Sequence, residues 1–363
     1  MDQPKLEFQE NVPLANHTTI SLGGEASLFK VCQSVEQIRD CLTYAKDNKL
    51  SVQILGRGSN ILFPDEGYDG LVVKIDLKGI SLTEDGDWLV AHAAAGEDWA
   101  EFVRLCIDHD CSGIECLSGI PGLIGATPMQ NVGAYGQEVS DTIISLNALD
   151  SKNLKEAEFT NKECRFGYRQ SRFRTKDAGR YIITEVTFRL RKSSRTEIHY
   201  PELRNYLETN FGLNILATGR PASEAVRSAV LAIRKKKSMV IDPADLNTRS
   251  VGSFFMNPIL SKREFESLEE QWKLSGGKDQ IPTFNAQGSV KVPAAWLVEK
   301  AGFHRGYRKG GAGISANHSL ALINCGGTTR EILDLAEEIQ QSVFKRFGIR
   351  LEREPVVVSA TVD

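Results

Sequence analysis

Leu55-Gly56-Arg57-Gly58-Ser59-Asn60 follows the apolar run 51–55 and leads into Ile61-Leu62-Phe63. A strand followed by Gly-x-Gly invites a dinucleotide-binding reading, and Asp76, at the end of a second strand over 71–75, fits it. Two details count against the Rossmann form. Ile61 stands where a third glycine belongs, and no helix fits between Phe63 and the turn Pro64-Asp65-Glu66-Gly67. Without a helix N-terminus, an anionic ligand here needs a nest of loop N–H groups. A second stretch offers another such surface. Residues 116–137 carry no charge, and Pro121, Pro128, Gln130, Asn131 and five glycines from Gly119 to Gly136 break the run, so it is no membrane span. Small residues stand wherever backbone would have to come close, among them Gly122, Gly125, Ala126, Gly133 and Ala134. Taken singly, each loop reads equally well as a tight turn between strands.

Around these loops the chain is ordinary for a globular enzyme. Its 363 residues exceed one compact core and predict two or three domains. Lys+Arg 44 against Asp+Glu 47 gives a net charge of −3 and no basic surface for nucleic acid. The seven cysteines form no C-x-x-C pair, and Cys106, Cys111 and Cys116 lack the partners of a zinc site, so reduced cytosolic thiols and no metal are expected. The N-terminus has no basic segment followed by an apolar run, hence no signal peptide is read.

Helices are predicted over 35–49, 99–108 and 221–237, and strands over 89–96 and 181–190. On the third helix Val226, Val230, Ile233 and Lys237 share one stripe. The last long helix begins at Thr328, where Thr328-x-x-Glu331 is a capping box, buries Ile332, Ala336, Ile339, Val343 and Phe347, and ends at Gly348. A final strand is expected over 349–358.

Six motifs occur in order: His17-Thr18-Thr19, the 55–60 loop, the block from Ile120-Pro121-Gly122 to Gly136, Phe166-Gly167-Tyr168-Arg169-Gln170-Ser171, Val251-Gly252-Ser253-Phe254-Phe255-Met256-Asn257-Pro258, and Leu351-Glu352-Arg353-Glu354. Together, over nearly the whole chain, they resemble the UDP-N-acetylenolpyruvoylglucosamine reductase family of peptidoglycan synthesis. His199-Tyr200-Pro201-Glu202-Leu203 resembles its first subtype, which carries a tyrosine loop over the substrate. The resemblance implies an α+β fold: a two-part FAD-binding domain of the vanillyl-alcohol-oxidase (PCMH) type and a third, α/β substrate-binding domain. The corresponding segments are 1–77 with 349–363, then 78–238, then 239–348. It further implies non-covalent FAD on Gly56, Arg57, Gly58, Ser59, Asn60, Pro121, Gly122, Gly125, Ala126, Thr127, Asn131, Gly133 and Ala134. NADPH is the implied co-substrate, a UDP-sugar enolpyruvyl ether the substrate, and a cytoplasmic monomer the implied form.

An enolpyruvyl ether is an alkene conjugated to a carboxylate. Hydride addition at its terminal carbon throws charge onto the neighbouring carbon and the carboxylate, so the reaction needs fixed positive or hydrogen-bonding groups there and a proton donor. Arg169 suits the carboxylate because a guanidinium forks onto two oxygens, although most arginines make surface ion pairs. The resemblance makes Ser253 the proton donor; most serines after glycine instead bond backbone in turns. It makes Glu354 the catalytic glutamate, while strand alternation puts Glu352 and Glu354 on one face and does not separate them. A carboxyl beside the substrate's carboxylate would hold its proton more tightly. Val356 stands where many family members carry arginine. Tyr168, Tyr200, Lys237, Asn257 and His318 match substrate-side positions, Lys237 at the diphosphate; a C-terminal lysine also suits the helix dipole without any ligand.

Two rival readings follow. A flavin oxidase on the same scaffold often ties FAD covalently to a histidine, yet His17, His92 and His109, the only histidines before residue 199, lie outside both glycine segments. A non-catalytic flavin or UDP-sugar binder would need no Ser253, Arg169 and Glu354 set.

Overall fold

The structure, a computed structural model, describes residues 6–193, 197–212, 218–286 and 288–359. Its first sheet is built on Glu25–Cys32, Tyr68–Ile75 and Val52–Leu55, all parallel, with Gln9–Pro13 antiparallel at the edge. Tyr68–Ile75 is the central strand and is buried on both faces, as its near-continuous apolar run requires. Helix Val35–Asp47, capped by Ser34, covers the sheet with Ile38, Cys41, Leu42 and Ala45.

The second sheet is antiparallel, in the order Glu156–Thr160, Ile143–Asp150, Tyr181–Lys192, Trp88–Ala94, Ile80–Asp85. Helix Trp99–Asp108 starts at Asp98, whose carboxylate accepts the N–H groups of Ala100 and Glu101. It buries Trp99, Phe102, Val103 and Cys106 against that sheet. Helices Pro201–Phe211 and Arg220–Lys236 pack together beside Cys116.

A third core is formed by the antiparallel strands Ser250–Ser253, Ala321–Asn324, Ala312–Ile314 and Arg308–Lys309 with helices Lys262–Leu274, Ala294–Lys300 and Thr329–Phe347. The Thr328–Glu331 capping box forms, a device worth about 1 kcal/mol, and Gly348 ends that helix at φ +68°. Ile20, Leu22 and Leu62 from the first unit enter this core. The architecture is α+β.

Two expectations are corrected. Residues 349–358 do not form one strand. Only Val356–Val357 pairs, in parallel with Ile61–Leu62, while Arg353 makes a single bridge to Phe255. The chain there is shared between two units, so it bends from one set of backbone partners to the other. Lys237 lies just past the end of its helix, at the C-cap, rather than on its apolar stripe. No described helix is long and apolar enough to cross a membrane. All seven cysteines are free thiols, and no group of three or more His, Cys, Asp or Glu could hold a metal among the described residues.

Candidate active site

The two glycine segments meet. Ser59 Oγ donates to the Pro121 carbonyl at 3.0 Å, and Asn60 Nδ2 to Gln130 Oε1 at 2.9 Å. The Arg57 guanidinium pairs with Asp98. None of the five backbone N–H groups of residues 56–60 has an acceptor among the described residues. A run of unpaired backbone donors is the kind of surface that can receive an anion.

The glycines divide by cause. Gly58 has φ +71°, and a Cβ there would strike the His17 carbonyl and Thr18. At Gly125 a Cβ would come within 2.6 Å of Ala95 Cβ, and at Gly133 within 2.9 Å of Glu138 Cγ. These three are required by the protein's own packing. Gly56 is different: a Cβ would make only ordinary contact, at 3.6 Å from Leu123, and its φ is not positive. Gly122 likewise faces only Ser59 Oγ at 3.6 Å, though its φ of +148° favours glycine. The open space is thus at Gly56 and Gly122.

Other members of the second segment serve the scaffold. Asn131, fully buried, donates to Glu138 and the Gly167 carbonyl and accepts from Ser140 N–H. Thr127 Oγ1 bonds the Ile124 carbonyl, and Ala126 is exposed. Ala134 begins a two-residue hairpin turn whose central residues, Tyr135 and Gly136, have φ +52° and +94°. That turn presents Tyr135 edge-on to Tyr200, with ring centroids 5.3 Å apart.

Tyr168 and Arg169 form the tip of a tight turn closed by reciprocal bonds between Gly167 and Gln170. Arg169 has φ +52°, in the left-handed region where glycine is usual, at a cost of about 1–2 kcal/mol. Its Nη2 donates to the Gly133 carbonyl at 2.7 Å, and Nε lies 3.2 Å from Glu354 Oε1 without hydrogen-bond alignment. The strained backbone holds a charged side chain that is only 20% exposed.

Glu354 is only 13% exposed. Burial pushes its carboxyl above the usual range, and Arg169 and Arg174 pull the other way. The structure separates the two glutamates left together by strand alternation. Glu352 is exposed and lines a cavity of about 490 Å³ beside Tyr168 and Asn257, whereas Glu354 turns inward. Neither Ser253 nor Arg169 lines that cavity, so its size does not mark the chemistry.

Ser253 ends its strand opposite Ala321, and the Phe254 carbonyl after it accepts the Glu354 N–H at 2.9 Å. Backbone pairing therefore places Ser253 next to Glu354, although 100 residues separate them in sequence. The Ser253 hydroxyl makes no hydrogen bond among the described residues, and Asn257 Oδ1 accepts the Ala294 N–H.

A cationic, aromatic rim continues from there. Lys291 Nζ sits 4.6 Å from the Tyr168 ring centre and 5.6 Å from that of Phe284, and Phe284 stacks on Tyr200 at 6.4 Å. Burial, then Arg169, lowers the Lys291 pKa. Lys237 pairs with Glu202 at 2.5 Å. His318 is held near pKa 4 by burial and then by Lys237, Arg234 and Arg305, so it is neutral at neutral pH. Arg234 is buried, with Nε unpaired among the described residues.

A family model described as "UDP-N-acetylenolpyruvoylglucosamine reductase, C-terminal domain" matches residues 242–358, and one described as "FAD binding domain" matches 26–153. The UDP-N-acetylenolpyruvoylglucosamine reductase of Thermobifida fusca is 42% identical over 98% of this chain and 99% of its own length. That of Streptomyces coelicolor is 40% identical over 99% and 92%. The chain belongs to the UDP-N-acetylenolpyruvoylglucosamine reductase family. The solved structure of the reductase from Thermus caldophilus has the same fold, with TM-score 0.64 at 22% identity over 97% of this chain and 99% of that one. 6-Hydroxy-D-nicotine oxidase from Arthrobacter nicotinovorans aligns at TM-score 0.50 and 14% identity over 96% and 88%, a likeness of fold alone.

In this member of the reductase family, the three candidate catalytic residues come from three distant segments that meet. Gln130, Arg174, Arg234, Phe284 and Lys291 are site residues that sequence reasoning did not select. Gln130 had one available signal, as a polar side chain inside the uncharged block; the others lie in stretches with no distinguishing local pattern. His17 stacks on Phe29 and contacts Lys74, and His92 contacts Thr187.

Proposed function

We propose that the chain reduces UDP-N-acetylglucosamine enolpyruvyl ether to UDP-N-acetylmuramate, with NADPH as reductant, and that Arg169, Ser253 and Glu354 carry the chemistry. The observation that carries this reading is the meeting of their three segments, with Arg169 against Glu354 and Phe254 bonded to the Glu354 backbone, beside the unpaired N–H groups of residues 56–60. The two glycine segments would hold FAD non-covalently, and the flavin there would supply the hydride and take its reducing equivalents from NADPH. Arg169 and Glu354, whose proton burial holds more tightly than usual, bind the substrate carboxylate and stabilise the charge that develops there. Ser253, whose hydroxyl makes no hydrogen bond among the described residues, has a proton free to give to the central carbon, and a strongly basic carbon accepts it without prior activation. Lys237 and buried Arg234 hold the diphosphate, with neutral His318 and Asn257 as polar contacts and Tyr168 and Tyr200 closing over the sugar nucleotide. We take 1–77 with 349–363, 78–238 and 239–348 as the three domains, and the enzyme as a cytoplasmic monomer.

A visible spectrum tests the whole reading. Purified protein, supplied with FAD if needed, should be yellow, bleach with NADPH without oxygen, and recover colour when the enolpyruvyl UDP-sugar is added. Protein that takes up no FAD, or bleaches and never recovers with that substrate, contradicts it.

A paired substitution tests the cofactor loop separately. Gly56→Ala should leave thermal unfolding of the apoprotein nearly unchanged and weaken FAD binding roughly tenfold or more, since one clashing methyl costs about 1–3 kcal/mol. Gly58→Ala should lower apoprotein stability directly by a comparable amount, because φ +71° and the His17 carbonyl leave a Cβ no room. Equal apoprotein destabilisation by both changes would mean that Gly56 serves the fold.

A further inference from the structure

The amide of Gln130 has only one possible orientation. Two side chains that carry donors alone in this contact face its Oε1: Asn60 Nδ2 at 2.9 Å and Arg174 Nη1 at 2.7 Å. A guanidinium has no acceptor, so the atom facing Arg174 must be the oxygen. Gln130 Nε2 is then the atom 3.2 Å from Glu354 Oε1, and it donates. Arg174 also clamps the end of the chain, with Nη2 donating to the Arg353 and Glu354 carbonyls at 3.2 and 3.0 Å.

Glu354 Oε1 therefore faces a donor from Gln130 and the Nε of Arg169 at 3.2 Å. An oxygen that already accepts one hydrogen bond and lies against a guanidinium cation is the poorer place for a proton. We propose that Gln130 is a positioning residue: held by Asn60 and Arg174, its amide occupies Oε1 of Glu354 and confines that residue's acidic proton to Oε2. The proposal rests on the reductase reading above and adds which oxygen of Glu354 presents the proton. It also links the first glycine loop, through Asn60, to the acid.

The charged and titratable groups facing Glu354 are Arg169 and Arg174, with Tyr168 alongside and Lys291 and Glu138 beyond Arg169. Removing a donor from a carboxylate disfavours its ionised form and raises its pKa. A ligand carboxylate beside Glu354 binds while Glu354 is protonated, and its affinity falls as pH rises through the pKa of Glu354. Gln130→Met keeps length and removes the donor. Its falling limb should thus move to higher pH, by about 1–2 units, the worth of a hydrogen bond to a charged group.

The test uses the FAD-loaded full chain and calorimetric titration with UDP-N-acetylmuramate, the lactyl-ether product, from mildly acidic to mildly alkaline pH. Stopped-flow traces of both half-reactions accompany it. Gln130→Met should shift the affinity limb upward, slow flavin reoxidation by the enolpyruvyl substrate about tenfold or more, and leave reduction by NADPH within about twofold. Gln130→Asn, which draws the amide back from Glu354 and leaves every nearby charge in place, should shift the limb in the same direction; this variant decides the matter if Gln130→Met does not fold. An unmoved limb in a folded variant, or equal loss of both half-reactions, overturns the assignment. Parent protein that binds no UDP-N-acetylmuramate would instead defeat the reductase reading beneath it.

Discussion

Ser253→Ala is expected to leave flavin reduction by NADPH within about twofold of the parent and to slow reoxidation by the enolpyruvyl UDP-sugar by roughly 10²- to 10⁴-fold, the usual span for loss of a positioned proton donor. The reasoning is local. Ser253 sits at a strand end whose backbone is pinned on one side by Ala321 and, through Phe254, on the other by Glu354. Its hydroxyl makes no hydrogen bond among the described residues, so removing Oγ breaks no scaffold contact. A stopped-flow comparison of the two half-reactions reads the outcome. Equal damage to both halves, with lowered thermal stability, would assign the serine to the fold.

Arg169→Met should lower reoxidation by roughly 10²- to 10³-fold, as expected when one fixed donor to developing negative charge is lost. Arg169 counters the effect of burial on Glu354, so its removal raises the Glu354 pKa further. The protonated form then persists to higher pH, and any alkaline fall in the residual rate should move upward. Arg169→Lys should recover part of the rate, because a lysine keeps the charge but not the fork onto two oxygens. A methionine variant with parental reoxidation would show that Arg169 only braces the Gly133 carbonyl.

The cofactor loops and the chemistry differ in how they tolerate change. Gly58, Gly125 and Gly133 are hemmed in by the protein's own atoms, so their substitution acts on the folded chain itself. Gly56 borders open space, and its substitution acts only on whatever enters that space. Glycines that look alike in sequence thus fall into separate classes once their neighbours in space are known, such as the 17–19 segment against Gly58.

Much of the framework was written in local pattern. Trp99–Asp108 appears as expected because Asp98 caps it and its apolar residues recur at helical spacing. Thr328, Glu331 and Gly348 bracket the last long helix for the same kind of reason: caps and periodicity act within a turn or two of the chain. The missing third glycine and the absent helix after Phe63 counted against a Rossmann loop, and Ile61–Leu62 is indeed a strand. Tertiary structure alone decided the rest. Glu352 and Glu354 part because the chain after Leu351 is drawn to Phe254 and Phe255 on one side and Ile61 on the other, which breaks strand alternation. Gln130 and Arg174 reach Glu354 across 224 and 180 residues, and no local period encodes a contact between irregular segments so far apart.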